Sequence, residues 1–121
     1  MIDHIKLFVR DVERSETFYE RALQPLGYRV MFKPAPAVVG MGRDWPDFWI
    51  AAIEDPTTAH VAFRADSRQL VDAFHEAALA AGGRDNGAPG LRPQYHEHYY
   101  GGFILDPDGN NIEAVCHDAA S

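Results

Sequence analysis

The sequence predicts an α+β fold in which two βαβββ modules form a curved, half-open mixed sheet. The first observation is an internal repeat, which indicates the overall architecture and is therefore considered before the local patterns. Sliding the chain by 56 residues against itself places His4 over His60 and Gly27 over Gly83. The second is that each copy reads as a strand followed by a helix and further strands. One helix covers only one face of such a half, so two halves predict a concave pocket on the other face.

Each repeat opens with a strand and continues into an amphipathic helix. Apolar residues at every second position over 5–9 predict the first strand. Apolar residues at helical spacing over 15–26 predict the first helix. Its N-cap is either Asp11 or Ser15, and the second helix has Ser67 as its candidate cap. We expect one domain over residues 1–121, with repeats 1–55 and 56–121.

Three short strands follow each predicted helix. Their expected ranges are about 28–33, 37–42 and 47–54 in the first half, and about 84–88, 99–105 and 110–117 in the second. The last two form a hairpin around Asp106-Pro107-Asp108-Gly109, where proline sets φ and glycine accepts a positive φ. The second half is longer by a loop within residues 87–102.

Composition excludes several classes of function. The 121 residues include 18 acidic and 11 basic side chains, for a net charge of −7, and no basic cluster that nucleic acid requires. No apolar run approaches the roughly 20 residues of a membrane span. Cys116 is the single cysteine, and the start of the chain lacks the pattern of a signal peptide. These features predict a cytoplasmic protein with neither a nucleic-acid nor a membrane partner.

Three polar residues are expected on the strand faces that line the pocket. His4 and His60 sit at the same point of the two repeats, opposite the aliphatic side chains that face the helices. Glu113 lies between Ile112 and Ala114 on the last strand and points the same way. Two imidazoles and one carboxylate can hold a divalent metal and leave open positions for substrate. The alternative is that these are solvated or hydrogen-bonded surface side chains.

The rest of the predicted pocket is partly aromatic. Phe8, Trp49 and Val115 are expected to share the face of the metal ligands, and Arg64 shares the His60 face of its strand. Such a pocket suits a small, partly apolar molecule that carries an oxygen or a carboxylate. Trp49 either stacks on a planar ligand or packs in a core or interface.

The loop after the second helix is rich in polar aromatic residues. His96 and His98 are candidate acid–base groups, because imidazole titrates near neutral pH. Tyr100 in the same loop is a further candidate for substrate binding. The alternative reading is an exposed loop that lies over a dimer contact.

Several segments together resemble a known superfamily. They are Ile2-Asp3-His4-Ile5, Ser15-Glu16-Thr17-Phe18-Tyr19, His60-Val61-Ala62-Phe63 and Asp106-Pro107-Asp108-Gly109-Asn110-Asn111-Ile112-Glu113. With the βαβββ repeat, they are similar to the glyoxalase/bleomycin-resistance/extradiol-dioxygenase superfamily, also called vicinal oxygen chelate. The resemblance covers essentially the whole chain. It implies paired modules, a homodimer, and a divalent cation that binds substrate oxygens in the cup.

The metal positions of that superfamily map onto this sequence only in part. His4, His60 and Glu113 match three positions, but the fourth falls on Trp49, whose side chain has only an N–H donor. The resemblance therefore argues against glyoxalase I with two histidines and two glutamates. The remaining trio resembles extradiol dioxygenases, which use iron, and fosfomycin-type thiol transferases, which use manganese; nickel and zinc also stay open.

Three functions remain open on the sequence. The first is a metal-dependent enzyme of the lyase, dioxygenase or thiol-transferase type. The second is a metal-free protein that sequesters a drug or metabolite in the pocket of a dimer. The third is a structural or regulatory dimer with a vestigial pocket.

Overall fold

The computed structural model describes residues 1–119. Its elements in chain order are β1 (Ile5–Val9), α1 (Val12–Ala22), a 3₁₀ turn (Gln24–Leu26), β2 (Arg29–Ala35), β3 (Val38–Gly42), β4 (Phe48–Ala52), β5 (His60–Arg64), α2 (Arg68–Ala80), β6 (Arg84–Leu91), β7 (Tyr100–Leu105) and β8 (Asn111–Cys116). No helix within residues 1–119 is long and apolar enough to cross a membrane.

The strands form two four-stranded mixed sheets with the same topology. The N-sheet has the order β1-β4-β3-β2, and the C-sheet has the order β5-β8-β7-β6. In each sheet the first strand pairs in parallel with the last, and the other pairs are antiparallel. The predicted α+β fold of paired βαβββ modules is confirmed, and neither sheet closes into a barrel.

Side-chain caps set the start of both helices. Asp11 caps α1, because its carboxylate accepts the backbone N–H of Arg14 at 3.2 Å. Ser15, the other candidate, lies inside α1 and is buried. Ser67 caps α2 as predicted, and its hydroxyl accepts the backbone N–H of Leu70 at 3.2 Å.

The first helix ends earlier than its apolar spacing predicted. That spacing continued to Leu26, but α1 stops at Ala22 and a 3₁₀ turn follows. Pro25 in this turn has no N–H to donate and disfavours helical backbone in the residue before it. Gly27 then ends the turn with φ 83°. Leu26 is still buried, so the spacing predicted burial correctly and helix continuity wrongly.

The strand β6 was predicted too short. The glycines and the proline after residue 88 predict a loop, yet β6 runs from Arg84 to Leu91. It lies at the edge of the C-sheet, where a proline without an N–H is tolerated. The loop proper is residues 92–99, which we call the strap; its ends join where the backbone N–H of Arg92 donates to the carbonyl of Tyr99 at 2.7 Å.

One hydrophobic core holds both modules together. It contains residues from α1, α2 and one side of each sheet. Phe48 of the N-sheet and Phe63 of the C-sheet meet edge to face in it, with ring centroids 5.0 Å apart. Each sheet therefore turns its core side inward, and its opposite side, which we call the outer face, points away from the shared core.

Candidate functional site

Trp49 and Glu113 occupy equivalent positions on the two outer faces. In the N-sheet Trp49 pairs in register with Lys6, and in the C-sheet Glu113 pairs with Ala62, the repeat partner of Lys6. The repeat predicts this equivalence when the eight-residue insertion of the second half is added to the offset of 56. The first module therefore has an indole at the position where the second module has a carboxylate.

His60 and Glu113 form a close pair on the C-sheet. The Nε2 atom of His60 lies 3.2 Å from Oε1 of Glu113, and its Nδ1 lies 2.9 Å from the carbonyl oxygen of Asn111. The Glu113 side chain is only 2 % exposed, whereas that of His60 is half exposed. The pair thus joins a buried carboxylate to an imidazole that reaches solvent.

Tyr99, at the end of the strap, makes the second polar contact of Glu113. Its hydroxyl donates a hydrogen bond to Oε2 of the carboxylate. Burial raises the pKa of Tyr99, and the hydrogen bond and the charge of Glu113 raise this pKa further. The hydroxyl therefore keeps its proton and acts as the donor. Nothing in the local sequence pattern distinguished Tyr99 from its neighbours, and it was not predicted.

The sequence makes Tyr100 a candidate for substrate binding, but its side chain lies on the other side of the C-sheet. Its hydroxyl donates to Asp72 of α2 at 2.6 Å, and the Arg68 guanidinium lies 5.4 Å from its ring centroid. Tyr100 is the first residue of β7, so its side chain and that of Tyr99 point to different places. Tyr100 is therefore not brought to Glu113.

Trp49 is held rigidly on the outer face of the N-sheet. Its indole N–H donates to the carbonyl of Pro46 at 2.8 Å, and its ring lies on Gly40, where an added Cβ would be 2.8 Å from ring atoms. The ring of Phe32 lies 6.2 Å from it, and that of His4 lies 6.5 Å from it. With Phe8, which is 42 % exposed, these residues leave an aromatic surface open.

His4 and His60 both line a groove of about 460 Å³ between the edge strands β1 and β5. Arg64 lines the same groove. Glu113 is not among its lining residues. Across residues 1–119, no three His, Cys, Asp or Glu side chains are grouped as one metal ion would need. A single chain thus pairs His60 with Glu113 but does not add His4 to the pair; His4 instead contacts Asp3 at 2.6 Å.

The two candidate acid–base histidines differ in their surroundings. The Nε2 atom of His96 lies 2.8 Å from Nδ1 of His117, and both rings meet the edge of Tyr99. His98 points toward Glu97, with Nε2 3.4 Å from its carboxylate. Neither histidine contacts Glu113 directly; Tyr99 lies between His96 and the carboxylate. Val115 shares the face of Glu113, as expected, and is buried.

Solved structures of the same architecture match almost the entire chain. A glyoxalase/bleomycin resistance protein from Albidiferax ferrireducens is 29% identical, with a TM-score of 0.82, and the match covers 96% of this chain and 98% of that one. A glyoxalase I variant from Zea mays is 25% identical over 94% of this chain and 46% of that one, with a TM-score of 0.72. TioX from a Micromonospora species shares the fold at 14% identity, with a TM-score of 0.77 over 98% of this chain and 99% of that one.

The sequence itself gives the same assignment. No curated protein matches this sequence, but a family model does. Residues 1–114 match the family described as the Glyoxalase/Bleomycin resistance protein/Dioxygenase superfamily, which agrees with the paired modules and the Asp106–Glu113 motif. The chain belongs to the glyoxalase/bleomycin resistance protein/dioxygenase superfamily.

Proposed function

We propose that this protein is a divalent-metal-dependent enzyme that acts on a small oxygen-bearing substrate by lyase, dioxygenase or thiol-transferase chemistry. The observation that supports a metal is the pairing of His60 with Glu113. A carbonyl oxygen only accepts hydrogen bonds, so the contact with Asn111 puts the proton of a neutral His60 ring on Nδ1. The lone pair of Nε2 then faces a carboxylate oxygen, which is also an acceptor.

Two acceptors 3.2 Å apart need a positive group between or beside them. Either a proton on Nε2 or a divalent cation supplies it. Two ligands about 2.1 Å from one cation lie roughly 3.0–3.4 Å apart at tetrahedral or octahedral angles, which fits this spacing. A ring nitrogen hydrogen-bonded to a backbone carbonyl is also the usual way in which a ligating histidine is oriented. The donor pair therefore suits a metal ion.

We propose that His4 of a second copy completes the ligand set in a homodimer. In one chain His4 lies beside Trp49 and His60 lies beside Glu113, and the two histidines border one groove without His4 joining the His60–Glu113 pair. Two copies related by a two-fold axis would bring unlike halves together at two sites. His4, His60 and Glu113 would then form a set that suits Fe, Mn, Ni or Zn. When bound, such an ion supplies Lewis acidity toward a substrate oxygen.

The aromatic surface of the N-sheet suggests how this chain would hold the substrate. Trp49 offers a fixed indole face beside the exposed ring of Phe8. Lys6 pairs in register with Trp49 and is exposed, so a cation lies beside the rings. We propose that a small planar molecule stacks there with an anionic oxygen toward Lys6, while Val115 and Arg64 border the opposite half.

Metal content is the direct test of this proposal. We expect the purified, untagged protein to hold about one equivalent of iron, manganese, nickel or zinc per chain, measured by elemental mass spectrometry. His60→Ala and Glu113→Gln remove one ligand each and should lose that metal. Glu97→Gln is the matched control, because Glu97 is exposed on the strap, and it should keep the metal. Wild-type protein that takes up no divalent ion after its addition would contradict the proposal.

A second candidate function is a metal-free binding protein that holds a drug or metabolite in a dimer pocket. Trp49 favours it, because an indole stands where the other module has its carboxylate. The net charge of −7 would suit a cationic ligand.

Tryptophan fluorescence tests the binding function. Trp45 is exposed and would add background, so Trp45→Phe leaves Trp49 as the reporter. If the protein is a binder, we expect its emission to change on titration with cationic aromatic drugs, because a stacked ligand alters the surroundings of the indole. Trp49→Phe in the otherwise unchanged chain keeps Trp45 as its emitter and should lose the response. Emission that stays flat across a panel of such drugs would count against this function.

A further inference from the structure

We propose that Tyr99 is a positioning residue, which fixes the Glu113 carboxylate so that only Oε1 is presented to His60 and to a metal ion. The Tyr99 hydroxyl donates to Oε2, and Nε2 of His60 lies 3.2 Å from Oε1. The two carboxylate oxygens therefore have separate partners. The role toward a metal rests on the proposed function; the orientation of the carboxylate does not.

Burial makes this hydrogen bond decisive for the carboxylate. Glu113 is almost completely enclosed, so bulk water does not solvate its two oxygens. Within residues 1–119, Tyr99 and His60 are the polar side chains that contact it. Without the hydroxyl, Oε2 would be a buried acceptor with no partner and would turn toward another positive or donor group. A proton or a metal ion at Nε2 of His60, which lies 3.2 Å from Oε1, would be such a group.

Tyr99 is held in place by groups other than Glu113. Its carbonyl accepts the N–H of Arg92 across the neck of the strap at 2.7 Å. Its ring centroid lies 5.5 Å from that of His96, 5.4 Å from that of His117 and 4.8 Å from that of Tyr95. The strap and this ring cluster thus fix the hydroxyl, and the hydroxyl in turn fixes the carboxylate.

Gly101 on the neighbouring strand keeps the space for this contact clear. A Cβ at Gly101 would lie 3.1 Å from Oε2 of Glu113 and 3.1 Å from a ring carbon of Tyr99. A side chain at Gly101 would therefore press on both members of the hydrogen bond at once. The backbone under the pair is shaped to let the tyrosine ring lie over the carboxylate.

Tyr99→Phe tests the inference because it removes only the hydroxyl. We expect its affinity for Mn²⁺ and Zn²⁺, titrated into metal-free protein against a competing chelator, to fall by about 10–100-fold. Tyr95→Phe is the matched control: Tyr95 packs on the same ring and is mostly exposed, so its affinity should stay within about twofold of wild type. The absorption spectrum of bound Co²⁺ gives a second readout. It should change in Tyr99→Phe alone, since a freed Oε2 alters the ligand field, whereas a loss of stability by itself would not.

The outcomes separate the two proposals. Wild-type affinity and an unchanged Co²⁺ spectrum in Tyr99→Phe would overturn the positioning role. If the wild-type protein binds none of these ions, the metal proposal fails, and crystal structures of the metal-free proteins decide the role of Tyr99. A Glu113 side chain that turns or takes several conformers in Tyr99→Phe would support that role. An unmoved Glu113 would overturn it.

Discussion

Replacing Asp106 by alanine is expected to lower the free energy of unfolding by about 3–5 kcal/mol, because the buried carboxylate accepts four hydrogen bonds. Its Oδ2 accepts the Tyr19 hydroxyl at 2.5 Å and the Asn110 side-chain amide at 2.9 Å. Its Oδ1 accepts the backbone N–H groups of Asp108 and Asn110 at 2.9 and 2.8 Å. Alanine would leave these donors without partners in a site that is only 2 % exposed.

Urea unfolding measures this loss, with the midpoint shifted and the slope unchanged if the denatured state is unaffected. Asp55→Ala is the matched control. That carboxylate is exposed and lies 3.8 Å from Arg10, so its removal should change stability by less than about 0.5 kcal/mol. A loss below about 1 kcal/mol in Asp106→Ala would show that the buried network contributes little.

Asp106 also shows which structural features a local motif predicts and which it does not. The run from Asp106 to Gly109 predicted a turn through proline and glycine, and the turn is present, with φ 87° at Gly109. Its first residue does more than begin the turn, since it ties the second module to Tyr19 of α1 in the first. The spacing of residues around Asp106 cannot indicate a partner that is 87 residues away in the chain. The fold of the hairpin was therefore predictable, and its role between modules was not.

The candidate site likewise has one part that the sequence predicts and one part that it does not. The repeat places Trp49 and Glu113 at equivalent positions once the eight-residue insertion of the second half is added to the offset of 56, because alternation along a strand decides which face a side chain takes. The direction of Tyr99 has no such rule behind it. Tyr99 is the last residue of the strap, which has no periodic pattern, and it lies one residue before β7. A shift of one residue in the predicted strand therefore exchanges Tyr99 and Tyr100.

The sequence also could not predict how the two modules pack against each other. Alternation predicts that His4, His60 and Glu113 avoid the core, but it does not say whether the two outer faces of one chain face each other. That choice depends on how the helices pack. Here both helices and the core sides of both sheets share one core, and the outer faces lie on the opposite sides of the sheets. In the proposed homodimer, a second copy would supply the other wall of the cup.

A mixture of His4→Ala and His60→Ala chains is expected to recover metal binding that neither variant has alone. If each site combines His4 of one copy with His60 and Glu113 of the other, a mixed dimer has one site with all ligands and one site with two missing. Random pairing makes half of the dimers mixed. Co-refolded chains should therefore bind about one quarter of the metal of wild type, measured by elemental mass spectrometry after removal of free ions.

The matched control is a mixture of His60→Ala and Glu113→Gln chains. These two ligands come from the same half in the proposed dimer, since their side chains are 3.2 Å apart in one chain. Every site in every dimer of this mixture lacks one ligand, so no recovery is expected, although it carries the same number of substitutions. Recovery in the first mixture and not in the second would show that the ligands come from two copies in this pairing. Failure of both mixtures to recover, with metal bound normally by wild type, would place all three ligands within one chain and would require the modules to rearrange around the ion.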